Sequence, residues 1–196
     1  MRCNNDRYKK YLAALNIDFS WESILKKYLL AYNITKEKDV KMFLAQTSHE
    51  SYNYKRLEES FKYKPEVLIK VFPKYFKTLE ESKDILSKGD EALANRVYGG
   101  RLGNNFDEGY KYRGRGIIQL TGKSNYIHYG NLLNIDLVNN PDWLLERNVS
   151  VNVACCYWIN RGLLGIDDIR KVTKKINGGY NGLEDRIKRY KKIENL

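Results

Sequence analysis

The sequence predicts a mainly α-helical protein. Apolar residues recur at three- and four-residue spacing in several separate segments, no strand-rich block or internal repeat of 20 to 50 residues is visible, and the glycines crowd into one region between Gly89 and Gly116. Trp21, Ile24, Leu25 and Tyr28 keep helical spacing behind Ser20 as a cap, which predicts a packing helix over 21–32. Thr35 reads as the N-cap of a second helix with Glu37 in its first turn, and Val40, Phe43, Leu44 and Thr47 fall on one stripe, the pattern of an amphipathic helix. Pro65 opens a short helix through Val67, Leu68 and Val71. The run from Gly89 to Gly116 predicts loops or a short hairpin with backbone free to approach a ligand. Beyond Pro141, a buried helix is expected over 152–160, another over 167–176 ending at Asn177-Gly178-Gly179, and a basic last helix from about Leu183.

Two glutamates in the second of these segments stand out. Glu50 follows Phe43 by seven positions, so it lies about 20° from it in azimuth, on the side expected to face the core. Desolvation there would raise its pKa and suit it to general acid work. Glu59 cannot join it on a continuous helix, because nine residues turn through about 900° and rise about 13.5 Å. The helix must end between them, and Ser51, Tyr52, Asn53 and Tyr54 are poor helix formers. Taken alone, each glutamate also has an ordinary reading as a solvated surface residue.

Composition bounds the function. A chain of 196 residues is long enough to bury a core and suits one domain, with or without two lobes. Lysine and arginine total 35 against 24 acidic residues, a net charge of +11 that favours a polyanionic partner: nucleic acid, an anionic membrane or a teichoic-acid-bearing wall. The three cysteines, Cys3, Cys155 and Cys156, read as reduced core residues, the last two within the apolar run 153–159. The N-terminus MRCNNDRYKK has no apolar h-region and no stretch reaches the roughly 20 apolar residues of a membrane span, so the expected location is the cytoplasm until something releases the protein.

Two apparent motifs fail on spacing. Gly122-Lys123-Ser124 imitates the end of a phosphate-binding loop, but Ile117 stands where its first glycine is required. His49-Glu50 imitates a zinc-protease helix, but Asn53 replaces the second histidine, so neither a metal nor any other cofactor is expected. Sixteen tyrosines among many lysines could stack nucleobases, yet most fall in apolar helical phases and no nucleic-acid module is recognisable.

Four segments in order, HESYNYKRLEESFKY (49–63), NRVYGGRLGN (95–104), YRGRGIIQLTGKSNY (112–126) and INGGYNGLEDRIKRY (176–190), resemble the family 19 glycoside hydrolases, especially phage-type endolysins and small bacterial chitinases. The likeness covers roughly 40–190. It implies a lysozyme-like helical fold of two lobes flanking a substrate cleft: one catalytic domain over 1–196, a smaller lobe at about 62–110, no separate wall-binding module, and a monomer. It also implies roles. Glu50 corresponds to the general acid, Glu59 to the general base that activates water, and Thr121 to the hydroxyl that helps hold that water, in an inverting mechanism. Gln119, Asn125 and Asn177 correspond to positions that bind sugar hydroxyls and N-acetyl groups, Arg186 to an arginine that supports the carboxylates, and Tyr112 to a residue lining the cleft. Asn177 has an equal claim as a helix end before two glycines, and Gln119, between Ile118 and Leu120, must find polar partners if buried. Ser60, and Ser51-Tyr52-Asn53 in place of glycines common in the family, depart from its pattern. The expected activity is hydrolysis of β-1,4 bonds in an N-acetylglucosamine-containing wall polymer, peptidoglycan ahead of chitin; a non-catalytic basic protein that binds glycan or nucleic acid is the remote alternative.

Overall fold

The computed structural model describes residues 5–196. Ten α-helices follow in order among them: α1 (Asn5–Ala14), α2 (Glu22–Ala31), α3 (Glu37–Glu50), α4 (Pro65–Val71), α5 (Leu79–Ser87), α6 (Asp90–Tyr98), α7 (Lys123–Leu133), α8 (Arg147–Asn160), α9 (Ile169–Asn177) and α10 (Leu183–Glu194). Among the described residues, β structure is limited to two isolated antiparallel bridges, Glu58 with Arg115 and Arg115 with Leu120. No helix there is long and apolar enough to cross a membrane. The described residues form two compact units, one of 5–57, 116–119 and 142–196, the other of 58–115 and 120–141.

In the first unit α3 is the central element. Its predicted amphipathic character is corrected: every residue from Asp39 to Ser48 is buried. Phe43 meets Trp158 of α8 edge-on at 5.3 Å, as the apolar stripe requires. The polar side is covered as well, because α10 packs along it and partners from α10 and from the segment before α9 satisfy its groups. Lys41 Nζ donates to the Glu194 carbonyl at 2.7 Å, and the Gly165 amide donates to Asp39 Oδ1 at 2.7 Å. A helix buried on all sides must have its polar side chains paired in this way. Its N-cap is Lys36, extended and without a side-chain bond, rather than Thr35; Glu37 and Asp39 supply negative charge at its N-terminus. Asp18 rather than Ser20 caps the 3-10 turn Phe19–Trp21 that leads into α2, its carboxylate accepting from the Ser20 amide at 2.8 Å. Cys155 and Cys156 are buried and free, as expected, and Cys3 lies outside the described residues. Helix α8 starts at Arg147, five residues ahead of the expected 152.

The second unit has its own core of Phe61, Leu68, Phe76, Leu93, Ala94 and Val97. Pro65 opens α4 at its first turn as predicted. Thr78 and Glu81 close a reciprocal capping box on α5. The glycine-rich stretch expected to be loop from Gly89 onward contains α6 instead; its glycines end that helix at Gly99 and shape the turns that follow.

Candidate active site

Glu50 is the last residue of α3, and the chain leaves it by an unusual turn. Tyr52, Asn53 and Tyr54 all have positive φ, 50°, 59° and 62°. Three consecutive left-handed residues other than glycine are costly, and the first of them ends the helix: the Asn53 amide donates to the Ser48 carbonyl at 2.8 Å and the Tyr52 amide to the His49 carbonyl at 3.4 Å. Asn53 Oδ1 accepts from Arg189 Nη1. Tyr54 is buried, shares a 2.7 Å hydrogen bond with the Thr47 hydroxyl and packs edge-on against Trp21.

Glu50 itself faces α10. Gln46 and Glu50 are one helical turn apart and present one edge of α3 to Arg186. Arg186 is 2% exposed, donates Nη1 to Gln46 Oε1 at 2.6 Å and Nη2 to Glu50 Oε1, and Gln46 Nε2 donates to the Thr173 hydroxyl at 3.1 Å. Glu50 therefore sits in an ion pair rather than against the apolar wall that its helical phase suggested, with its side chain 19% exposed.

A second polar chain fixes the end of α3. His49 Nδ1 meets Asp185 Oδ2 at 2.6 Å, and the same oxygen accepts from Arg189 Nε at 2.5 Å. Burial raises the pKa of Asp185, but the hydrogen bonds from His49 and Arg189 and the Arg189 charge outweigh it and hold the carboxyl below its ordinary value. The proton of His49 therefore belongs on Nδ1, facing a carboxylate. Gly182, at the N-cap of α10 with φ 72°, lies so close to the ring that a Cβ there would stand 2.3 Å from His49 Nε2. Gly182→Ala is expected to cost about 1–3 kcal/mol of stability and to displace His49. Thermal melting checks the first effect, and a lowered turnover, through the neighbouring Glu50, checks the second.

Glu59 belongs to the second unit. Its amide donates to the Gly114 carbonyl at 2.8 Å, the Gly114 amide returns a 3.1 Å bond to Glu59 Oε2, and the Tyr98 hydroxyl donates to Oε1 at 2.7 Å. Both oxygens are thus oriented. Burial pushes the pKa of Glu59 up, the bonds from Tyr98 and Gly114 and the Arg113 charge pull it back, and the net direction is upward. A carboxylate with a raised pKa is a stronger base, which is what abstraction of a proton from water requires. Arg113 is held by its Nε bond of 2.7 Å to Glu58 and lies over the Tyr110 ring.

The other predicted residues are placed as follows. Arg115 and Leu120 exchange both backbone hydrogen bonds, and half-buried Thr121 follows directly, so the segment bearing Thr121 is tied through Arg115 to the segment bearing Glu59. The Thr121 carbonyl accepts from Asn125 Nδ2 at 2.7 Å. Gln119 is half-buried with φ 53° and donates Nε2 to the Gly116 carbonyl at 3.0 Å, closing the turn on itself. Asn177 is exposed, ends α9 ahead of left-handed Gly178, and donates Nδ2 to the Asn181 carbonyl at 3.1 Å. Tyr112 is corrected: it is fully buried, stacks edge-on against Tyr126 and donates its hydroxyl to the Val138 carbonyl at 3.2 Å, so it is a core residue of the second unit and not a lining residue. Sequence reasoning gave His49 no role and passed over Gln46, Asp185 and Tyr98. The spacing of Gln46, one turn before Glu50, was the available signal for the first; nothing in the sequence pairs His49 with Asp185 or Tyr98 with Glu59.

A carboxylate bonded to a buried arginine and a desolvated carboxylate oriented by a tyrosine hydroxyl and a backbone amide are each groups able to give or take a proton. Residues 96–163 match the family model described as chitinase class I. A glycosyl hydrolase family 19 domain-containing protein of Haemophilus influenzae is 40% identical over 155 residues, 78% of this chain and 76% of that protein. Chitinase 8 of Oryza sativa subsp. japonica is 51% identical over 49 residues, 24% of this chain and 19% of that protein. The crystal structure of chitinase C from Streptomyces griseus HUT6037 shares the fold, with a TM-score of 0.65 and 17% identity over 96% of this chain and 90% of that one. The chain belongs to glycoside hydrolase family 19 and has its lysozyme-like helical fold.

Proposed function

We propose that this glycosidase cleaves β-1,4 bonds in peptidoglycan by inversion, with Glu50 as general acid and Glu59 as general base. The observation that carries the reading is the pair of differently held carboxylates: Glu50 bonded to buried Arg186, and Glu59 desolvated with both oxygens oriented by donors. Thr121 holds the attacking water, with Gln119, Asn125 and Asn177 contacting the glycan. The net charge of +11 supports an anionic wall polymer over neutral chitin. Chitin remains the second reading, and the chitinase relatives favour it.

One digestion separates these readings. Purified peptidoglycan and chitin oligomers are incubated in parallel, and the new reducing ends are identified by mass spectrometry. Muramic acid ends support peptidoglycan; glucosamine ends from chitin alone overturn it. Proton NMR of the fresh product is expected to show the α anomer first, because a base that activates water delivers it to the face opposite the leaving group. Initial β product would remove Glu59 as the base.

A further inference from the structure

The positive charge of the chain is unevenly placed. The second unit holds 13 lysines and arginines against 11 acids, so the excess of +11 lies almost wholly outside it. Several cations of the first unit are matched, since Lys38, Lys41, Arg186 and Arg189 each meet a carboxylate. Those of α9 are not. Arg170, Lys171, Lys174 and Lys175 are exposed and span about 140° of its circumference, while Val172 and Thr173 are buried on the opposite side. The helix contains no acid, and among the described residues none of these four side chains meets a carboxylate. Lys175 Nζ donates to the Arg161 carbonyl at 3.3 Å, and Arg170 and Lys174 lie 5.5 and 6.0 Å from the Tyr180 ring centroid. Arg170 with Lys174, and Lys171 with Lys175, are like charges one turn apart, an arrangement that destabilises a helix.

Lys171, Lys174 and Lys175 also line an open groove of about 620 Å³, together with Ile166, Asp167 and Asp168. Both acids are engaged elsewhere. Asp167 pairs with Lys38 at 3.2 Å, and Asp168 caps α9 by accepting from the Arg170 and Lys171 amides at 2.8 and 3.3 Å. Three lysines thus face the groove with no carboxylate of their own. Lys171 and Lys175 are spaced about 6 Å along the helix axis, so the cations form a row rather than converging on one point. A row of ammonium groups suits successive phosphates of a chain. A membrane-binding helix would present apolar side chains beside its cations, whereas the buried Val172 of α9 faces inward. A site for single-stranded nucleic acid would offer a free aromatic face, and the Tyr180 ring already carries Arg170 and Lys174.

We propose that this groove docks a phosphodiester-linked anionic polymer of the bacterial wall, a chain of the teichoic acid type, and so holds the enzyme beside the glycan it cuts. The proposal rests on the reading of the substrate as peptidoglycan.

The test compares two variants of equal charge. Lys171→Gln/Lys174→Gln/Lys175→Gln alters the groove; Lys64→Gln/Lys70→Gln/Lys83→Gln removes the same charge from exposed lysines of the second unit. Glutamine keeps the helix propensity of lysine, and the groove variant, relieved of like-charge pairs, is expected to melt no lower than wild type. Binding of purified polyglycerol phosphate is followed by calorimetry at about 0.15 M salt. The groove variant is expected to bind at least about tenfold more weakly than wild type, with a slope of log K against log salt smaller by about 2, while the control stays within about twofold. Turnover of both on soluble peptidoglycan fragments free of that polymer is expected to match wild type. Equal losses in the two variants, or a groove variant that binds as wild type does, overturn the groove. Tighter wild-type binding to phosphatidylglycerol vesicles or to a single-stranded oligonucleotide than to polyglycerol phosphate overturns the wall polymer as partner. The polymer contains no bond for the enzyme to cut, so the calorimetry is independent of the digestion: products from chitin alone overturn the substrate, and groove-dependent polymer binding still supports the groove.

Discussion

Glu50→Gln is expected to lower turnover by about 10²- to 10⁴-fold and to leave the fold intact. A glutamine carbonyl can still accept from Arg186 Nη2, so the bond that ties α3 to α10 survives, and Gln46 continues to satisfy Nη1. The amide has no proton to deliver to a glycosidic oxygen. Hydrolysis rates on a soluble oligosaccharide and thermal melting, measured together, check both halves: more than about a tenth of wild-type turnover would exclude Glu50 as the acid.

The second large effect is the pH dependence set by Glu59. Its folded-state pKa lies above that of an ordinary glutamate because burial disfavours the charged form. A base must be ionised, so turnover is expected to fall as pH drops through that raised value, earlier than an ordinary carboxylate would dictate. Glu59→Gln should remove this limb along with most of the activity. Stability runs the opposite way. A carboxyl with a raised folded pKa contributes stability that is present below its unfolded value and lost as pH rises through the folded one. Glutamine, neutral throughout, avoids that loss. It can also keep both hydrogen bonds, since its carbonyl can accept from the Gly114 amide while the Tyr98 hydroxyl turns to accept from its Nε2. The melting temperature of Glu59→Gln relative to wild type should therefore rise from acid to neutral pH. A difference independent of pH would show that Glu59 is not desolvated.

The pKa logic inferred for Glu50 was found at Glu59. Helical phase correctly placed Glu50 on an inward face of α3, but phase says nothing about which side chains another helix brings to that face. Arg186 lies 136 residues further along, and only the packing of α10 against α3 makes it a partner. Glu59 has no periodic signal at all. Its hydrogen-bond partners, Tyr98 at the end of α6 and Gly114, lie in segments far from it in sequence.

What the sequence determined by itself was local: the helices over 22–31, 37–50, 65–71 and 183–194, which follow from apolar spacing and from Pro65, and the end of α3 between the two glutamates, which follows from poor helix formers. The ordered segments were also enough to assign the family, because they are short motifs read along the chain. What only the tertiary structure decided was which polar groups are buried and with whom. The polar side of α3, read as one face of an amphipathic helix, is covered by α10; Tyr112 looked like a lining residue and is core; Arg186, on a helix read as basic, is 2% exposed. Burial of a polar side chain is stabilising only when a partner arrives from elsewhere in the fold, and that partner carries no mark in the neighbouring sequence.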